Sequence, residues 1–124
     1  MLGDTVTVTL GGSGGTERVL NKINQDNYSA EYLGRGATGL DEVRLRVRHT
    51  KETAKAGAPA LDRHNVELTQ TVFATVDSPE IFRQFYFVVR AVPGDVADDV
   101  VDLSEAVTYL SDATFLGKIL GWQS

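Results

Sequence analysis

The chain has 124 residues, of which 42% are hydrophobic and 23% are charged, as is typical of one globular domain. The absence of cysteine excludes disulfides and thiolate chemistry. No apolar run approaches the ~20 residues of a membrane helix, and the amino terminus has no signal-peptide pattern. We therefore expect neither a membrane helix nor a signal peptide. The formal charge of −5 lies entirely in residues 91–124, because residues 1–90 hold eleven basic and eleven acidic side chains.

The first third of the chain predicts a β-hairpin and a third strand. Asp4–Leu10 alternates polar and apolar side chains and is rich in β-branched residues, and Thr16–Asn24 is predicted as the returning strand. Gly11–Gly15 joins them and holds four glycines, which permit the positive φ angles of a tight turn. Tyr28–Leu33 is a short third strand.

Three longer strands follow, at Asp41–Lys51, Arg63–Phe73 and Glu80–Val92. Each alternates apolar and polar residues, so each has one face to bury and one that tolerates water. The apolar positions on these strands are Val43, Leu45, Val47, Val66, Leu68, Val72, Phe85, Phe87 and Val89.

The last quarter predicts two helices. Leu103, Ala106, Val107 and Leu110 have helical spacing, and Asp102–Glu105 resembles a capping box at a helix start. A second helix is predicted over Ala113–Leu120. The result is one α+β domain with an antiparallel sheet, divided into a hairpin (1–25), a sheet (26–92) and helices (95–122).

Two short helices cover only part of a six-stranded apolar face. The cheapest source of a further layer is a second copy of the chain, so the pattern predicts a dimer that shares its sheet or exchanges its helices. The side chains expected at that interface are Leu103, Val107, Leu110 and Leu116.

The most specific pattern is three arginines at alternate positions of one strand. Arg44, Arg46 and Arg48 would point the same way, about 6.6–7 Å apart, which is close to the spacing of successive phosphates along a single RNA strand. Polar and aromatic residues fall on the same predicted face of the neighbouring strands, Tyr86 among them as a stacking platform. The pattern favours nucleic-acid binding; the alternative is an edge strand that carries positive charge to block aggregation.

Other patterns are weaker. Gly11–Gly15 matches the G-x-S-x-G motif of hydrolases, but a strand follows where a helix is needed, so a hairpin turn is favoured. His49 and His64 lack metal-ligand spacing, and we expect a polar sheet or RNA-contact role for them. Four aspartates, Asp95, Asp98, Asp99 and Asp102, could offer oxygen ligands to Ca²⁺ or simply favour a helix start.

The chain as a whole resembles the coat proteins of single-stranded RNA bacteriophages of the levivirus type, close to the branch of a Caulobacter RNA phage. The resemblance covers nearly the full length and keeps the order of elements. The stretches that carry it are Leu2–Thr16, Lys22–Asp26, Val47–Glu52, Arg63–Glu67 and Leu120–Trp122.

The resemblance implies a homodimer with a continuous ten-stranded sheet, five strands from each subunit, with each pair of helices packed across the partner. It implies that dimers form an icosahedral shell, typically T=3, in the virion, assembled in the bacterial cytoplasm around single-stranded genomic RNA, with no small-molecule substrate or membrane partner. It also implies repression of replicase translation in many members, and structural calcium between dimers in some; no other cofactor is expected.

Carried over residue by residue, the resemblance places RNA contacts on the polar sheet face and a contact between dimers in the loop Val76, Asp77, Ser78 and Pro79. Arginines replace the small Ser/Thr residues that form adenine pockets in relatives, which favours sequence-tolerant packing over one specific hairpin. The alternatives are a free-standing dimeric repressor and, last, an enzyme. The predicted RNA-binding residues are Arg44, Arg46, Arg48, Arg63, Asn65, Glu67, Thr69, Gln84, Tyr86 and Arg90.

Overall fold

Six strands and then two helices make up the fold of residues 2–123, which the computed structural model describes. The α+β order predicted from the sequence is confirmed. The strands are β1 (Thr5–Leu10), β2 (Thr16–Gln25), β3 (Ser29–Arg35), β4 (Asp41–Lys51), β5 (Asp62–Val72) and β6 (Ile81–Ala91), and the helices are α1 (Ala97–Leu110) and α2 (Ala113–Leu120).

All six strands form one antiparallel sheet in chain order, β1 to β6. The count of five strands per subunit implied by the resemblance is therefore low by one. The reason is that β2 pairs with β3, with Asn21 opposite Leu33, so the hairpin is continuous with the sheet. A register irregularity between Lys22 and Asn24 interrupts this pairing, and β2 also contacts β4, so the sheet curls over itself at this end.

The register across β4, β5 and β6 defines two faces. Leu45 lies opposite Leu68, which lies opposite Phe85, and this row belongs to what we call the apolar face. The adjacent row, Arg46, Glu67 and Tyr86, belongs to the opposite face, which we call the arginine face. Both faces match the alternation in the sequence, because directly paired residues of an antiparallel ladder project to the same side.

The core lies under the hairpin, at one end of the apolar face. Its buried side chains are Leu20, Tyr32, Val43, Leu45 and Val47, and the apolar residues of β1 pack against them. The other end is open: Phe85 and Phe87 on β6 remain 54% and 48% exposed. Within one chain, the hairpin therefore covers only the half of the apolar face nearest β3 and β4.

Neither helix closes the open half. Among the described residues of α1 and α2 none is buried, and the helices make almost no contact with the sheet of their own chain. None of the described helices is long and apolar enough to cross a membrane.

The capping box predicted at Asp102–Glu105 is wrong. The helix starts more than a turn earlier, at Ala97, after an N-cap at Val96 that makes no side-chain capping bond. Asp98 and Asp99 lie in its first turn, where the helix dipole favours negative charge. The second helix has its predicted bounds, and the carboxylate of Asp112 caps it by accepting a hydrogen bond from the backbone N–H of Phe115.

Candidate nucleic-acid interface

The three arginines of β4 lie side by side on the arginine face, as the alternation predicts. β4 is hydrogen-bonded to β3 on one side and to β5 on the other. It is an interior strand, so the alternative that these charges protect an edge is wrong. Their guanidinium groups are partly exposed above the middle of the sheet.

Glutamates from both neighbouring strands pair with these arginines. Glu31 on β3 accepts from Arg44 Nη1 and from Arg46 Nε, the latter at 3.3 Å between Nε and Oε1. Glu67 on β5 accepts from Arg48 Nη2 at 3.2 Å, and its other oxygen lies 3.8 Å from Arg46 Nη1. Each of these two carboxylates is therefore shared between two arginines.

A third glutamate extends the series towards the end of β3. Glu42 lies 3.7 Å from Arg44 Nη2 and 3.9 Å from Arg35 Nε. The seven side chains alternate in sign, with four arginines against three glutamates, and we call them the Arg–Glu chain. In order across the face they are Arg35, Glu42, Arg44, Glu31, Arg46, Glu67 and Arg48.

The arginines favour the ionised form of Glu31. Partial burial acts to raise the pKa of Glu31, but the hydrogen bonds from Arg44 and Arg46 outweigh it and hold that pKa below its usual value. The face thus holds a net excess of one positive charge along the chain. A count of the arginines on β4 alone therefore overestimates the positive electrostatic potential of the arginine face.

Sequence reasoning missed this pairing for Glu31 and Glu42 and assigned Glu67 to RNA contact alone. The signal was present, because both strands that flank β4 show a glutamate at a polar position. What the sequence did not supply is the register that sets Glu31 and Glu67 opposite Arg46.

The remaining predicted RNA-binding residues lie on β5 and β6 of the same face. Tyr86 and Gln84 are exposed on β6, opposite Glu67 and Thr69. Asn65 is only 7% exposed, and its side-chain oxygen has no hydrogen-bond partner among the described residues. All ten predicted RNA-binding residues therefore lie on the arginine face, and Asn65 is buried beneath its surface.

Two further arginines lie at the far end of this face, where Arg63 pairs with Arg90 in the strand register. Arg90 donates two hydrogen bonds to Glu52, at 2.9 and 2.6 Å. Arg63 forms no ion pair within the described part of the chain.

Comparison with known proteins decides the family. Residues 3–92, which include all six strands, match the family described as phage phiCb5, coat protein. The chain belongs to this coat protein family. The coat protein therefore has a structural role in a phage capsid. The resemblance to RNA phage coat proteins that the sequence predicts is confirmed.

Solved structures agree on the fold. The coat protein of bacteriophage EMS014 is 14% identical, with a TM-score of 0.65 over 91% of this chain and 78% of that one. The virus-like particle proteins of bacteriophages AVE019 and NT-214 are 12% and 10% identical, with TM-scores of 0.62 and 0.61. They cover 96% and 99% of this chain and 94% and 98% of their own. No curated protein sequence matches significantly.

The coat protein places its predicted interface residues on exposed surface. Leu103, Val107 and Leu110 form one exposed stripe of α1, and Leu116 of α2 is half-buried. The predicted inter-dimer loop, Val76–Pro79, is fully exposed between β5 and β6. A backbone hydrogen bond from Thr75 to Ser78 closes it at 2.9 Å.

The two histidines lie on the apolar face of the coat protein, away from the predicted RNA-binding residues on the arginine face. They are paired across β4 and β5, with 2.8 Å between the two Nδ1 atoms. In the part of the chain that the structure describes, no three His, Asp or Glu side chains form a group suited to a metal ion.

Proposed function

We propose that the coat protein forms homodimers that assemble into an icosahedral shell around single-stranded genomic RNA. Assembly takes place in the cytoplasm of the bacterial host, and T=3 is the geometry expected. The arginine face points to the interior and contacts RNA, and the helices lie on the outer side. The observation that carries this proposal is that one chain leaves half its apolar face and both helices without a packing partner.

The helices and the open half of the apolar face fit each other chemically. The face presents Phe85 and Phe87, and α1 presents a stripe of leucine and valine. Their burial would contribute about 1.5–3 kcal/mol for each large side chain that becomes fully covered. Because the helices do not reach the sheet of their own chain, a second copy is the natural source of cover.

The free edge of β6 supports the same geometry. β6 is the last strand of the sheet and has eleven residues, Ile81–Ala91, with one side unpaired within the chain. A long unpaired edge is a template for another strand. Two copies joined at β6 would form a continuous sheet of six strands from each subunit, and the two arginine faces would become one surface.

The RNA part of the proposal rests on charge placement. The acidic residues 91–124 carry the whole net charge of −5, and they lie in the helical segment rather than on the arginine face. A locally basic surface attracts phosphates even on an acidic protein. Arginine forks bind phosphate without reading bases, which favours sequence-tolerant packaging over repression through one hairpin.

Purification of the recombinant coat protein tests the whole proposal. Size-exclusion chromatography and electron microscopy should show closed particles, and their images give the triangulation number; extraction should yield single-stranded RNA. A species of about 27 kDa, twice the chain mass of 13.5 kDa, that binds RNA but never assembles would instead support a dimeric repressor. Particles that form without nucleic acid at any salt concentration would remove the RNA role.

A further inference from the structure

We infer that Glu31 and Glu67 limit the RNA affinity of the arginine face by competing with phosphate for the β4 arginines. This inference rests on the proposed RNA-binding function and names how that site is tuned. In the free protein, the two carboxylates occupy donors that a phosphate would use. They hold the face in a weak, reversible binding regime.

The sharing of each carboxylate makes the competition effective. Arg46 is held from both sides, by Glu31 at 3.3 Å and by Glu67 at 3.8 Å. A phosphate that binds Arg46 through the N–H groups on both sides of its guanidinium must weaken both ion pairs. Each exposed ion pair is weak on its own, but the four pairs that Glu31 and Glu67 make together lower the affinity of the face for phosphate.

The exposed fractions of the side chains show that the arginines are open to phosphate. The side chains of Glu31 and Glu67 are 21% and 13% exposed, whereas the arginines rise from 30% at Arg44 through 44% at Arg46 to 51% at Arg48. The guanidinium groups thus reach further into solvent than the carboxylates. A phosphate that arrives from solvent therefore meets the guanidinium groups first and competes there for the N–H donors that the carboxylates hold.

The carboxylates also alter the dependence on salt. Each phosphate neutralised on a single strand contributes about 0.7 to the slope of log affinity against log salt. Six arginines in a dimer, three from each subunit, would give a slope of about −4 without competitors. A glutamate that loses its arginine gathers a cation again, so the slope of the natural protein is shallower.

The test compares three forms of the full-length protein in its unassembled state: natural, E31Q/E67Q and the control E17Q. Glu17 is an exposed residue of the hairpin that lies opposite Thr9 and forms no ion pair among the described residues. The probe is fluorescently labelled oligouridylate of about 12 nucleotides, within the span of single-strand sites. Anisotropy is measured at salt concentrations from about 50 to 200 mM.

The double variant should bind about tenfold more tightly, since each glutamate contributes about threefold, and its salt slope should approach −4. The control should bind within about twofold of the natural protein, because long-range charge is screened at this salt concentration. E67D, which retains the charge on a shorter side chain, should give an intermediate affinity. Circular dichroism and thermal melting confirm that each variant is folded.

Three results separate the possibilities. Equal affinity of the double variant and the control would overturn the competition while leaving RNA binding intact. Weaker binding by the double variant would also overturn it and make the glutamates direct RNA contacts. No detectable RNA binding by any form would instead refute the proposed function on which the inference rests.

Discussion

Replacing Leu110 with aspartate should abolish the dimer. Leu103, Val107 and Leu110 are 73%, 59% and 52% exposed in the single chain. Covering that surface contributes about 1–2 kcal/mol for each side chain, or about 6–12 kcal/mol for the six in a dimer. Leu110→Asp removes two of these contributions and leaves two carboxylates desolvated, at several kcal/mol each.

The expected loss is at least about 6 kcal/mol, which is about four orders of magnitude in Kd. Sedimentation velocity over a range of protein concentrations measures it, and electron microscopy should show no particles. The buried cluster beneath the hairpin contains no helix residue, so the strand signal in circular dichroism should remain.

Val101→Asp is the matched control. Val101 is an aliphatic residue of the same helix, 49% exposed, and nine positions from Leu110 place it on the opposite side, about 180° away. Val101→Asp should change the Kd of the dimer by less than about tenfold. If Leu110→Asp dimerises as tightly as this control, the stripe does not face the partner, and the proposed exchange of helices is wrong.

Three further outcomes follow from the geometry. Changing the three β4 arginines to glutamine should weaken binding of all RNA sequences alike and flatten the slope of log affinity against log salt. Tyr86→Ala should instead lose about 1–3 kcal/mol of stacking with little change in that slope. Titration with short RNA distinguishes the two variants, and an unchanged slope in the triple variant would exclude β4 as the contact. Deleting residues 77–79 should leave dimers but impair shells, as chromatography and microscopy would show, because this exposed loop contributes little to the core; normal particles would contradict its role. Asp41→Asn should destabilise the fold by about 1 kcal/mol. The hydrogen bond from Arg18 holds the pKa of Asp41 below its usual value. The stability that ionised Asp41 contributes is therefore present above about pH 4 and is lost as the pH falls through the lower folded-state pKa. Urea unfolding at several pH values should show the difference in stability between the two proteins vanish in acid, and a constant difference would contradict this prediction.

The strands could be predicted from the sequence because alternation is a local property. β4 has its predicted bounds, and β5 and β6 each differ by a single residue at either end. The start of α1 could not be predicted in the same way. The helix begins among aspartates, and its N-cap is a valine without a capping side chain, so no capping signal marks its start. Val100 continues the spacing of Leu103 and Val107 towards the amino terminus, and the prediction did not use it.

The location of the site could be predicted, but its electrostatics could not. Alternation assigns each residue to a face within its own strand, and this assignment placed Arg46 and Tyr86 on one side. The charge of that surface depends on which residues of β3 and β5 lie opposite Arg46, and a shift of one residue in either register would move Glu31 or Glu67 to the apolar face. Register is a property of the whole sheet, which a single strand does not encode.

Gly34 lets β2 and β3 approach closely. A Cβ atom at this buried position of β3 would lie 2.5 Å from Leu20 Cδ2 and 2.6 Å from the backbone oxygen of Val19, so any larger residue would force β2 outwards. The close approach of β2 and β3 at this point thus depends on the absence of a side chain at position 34. In the proposed shell every subunit repeats this contact, so a larger residue at position 34 would disturb the curvature of all subunits at once.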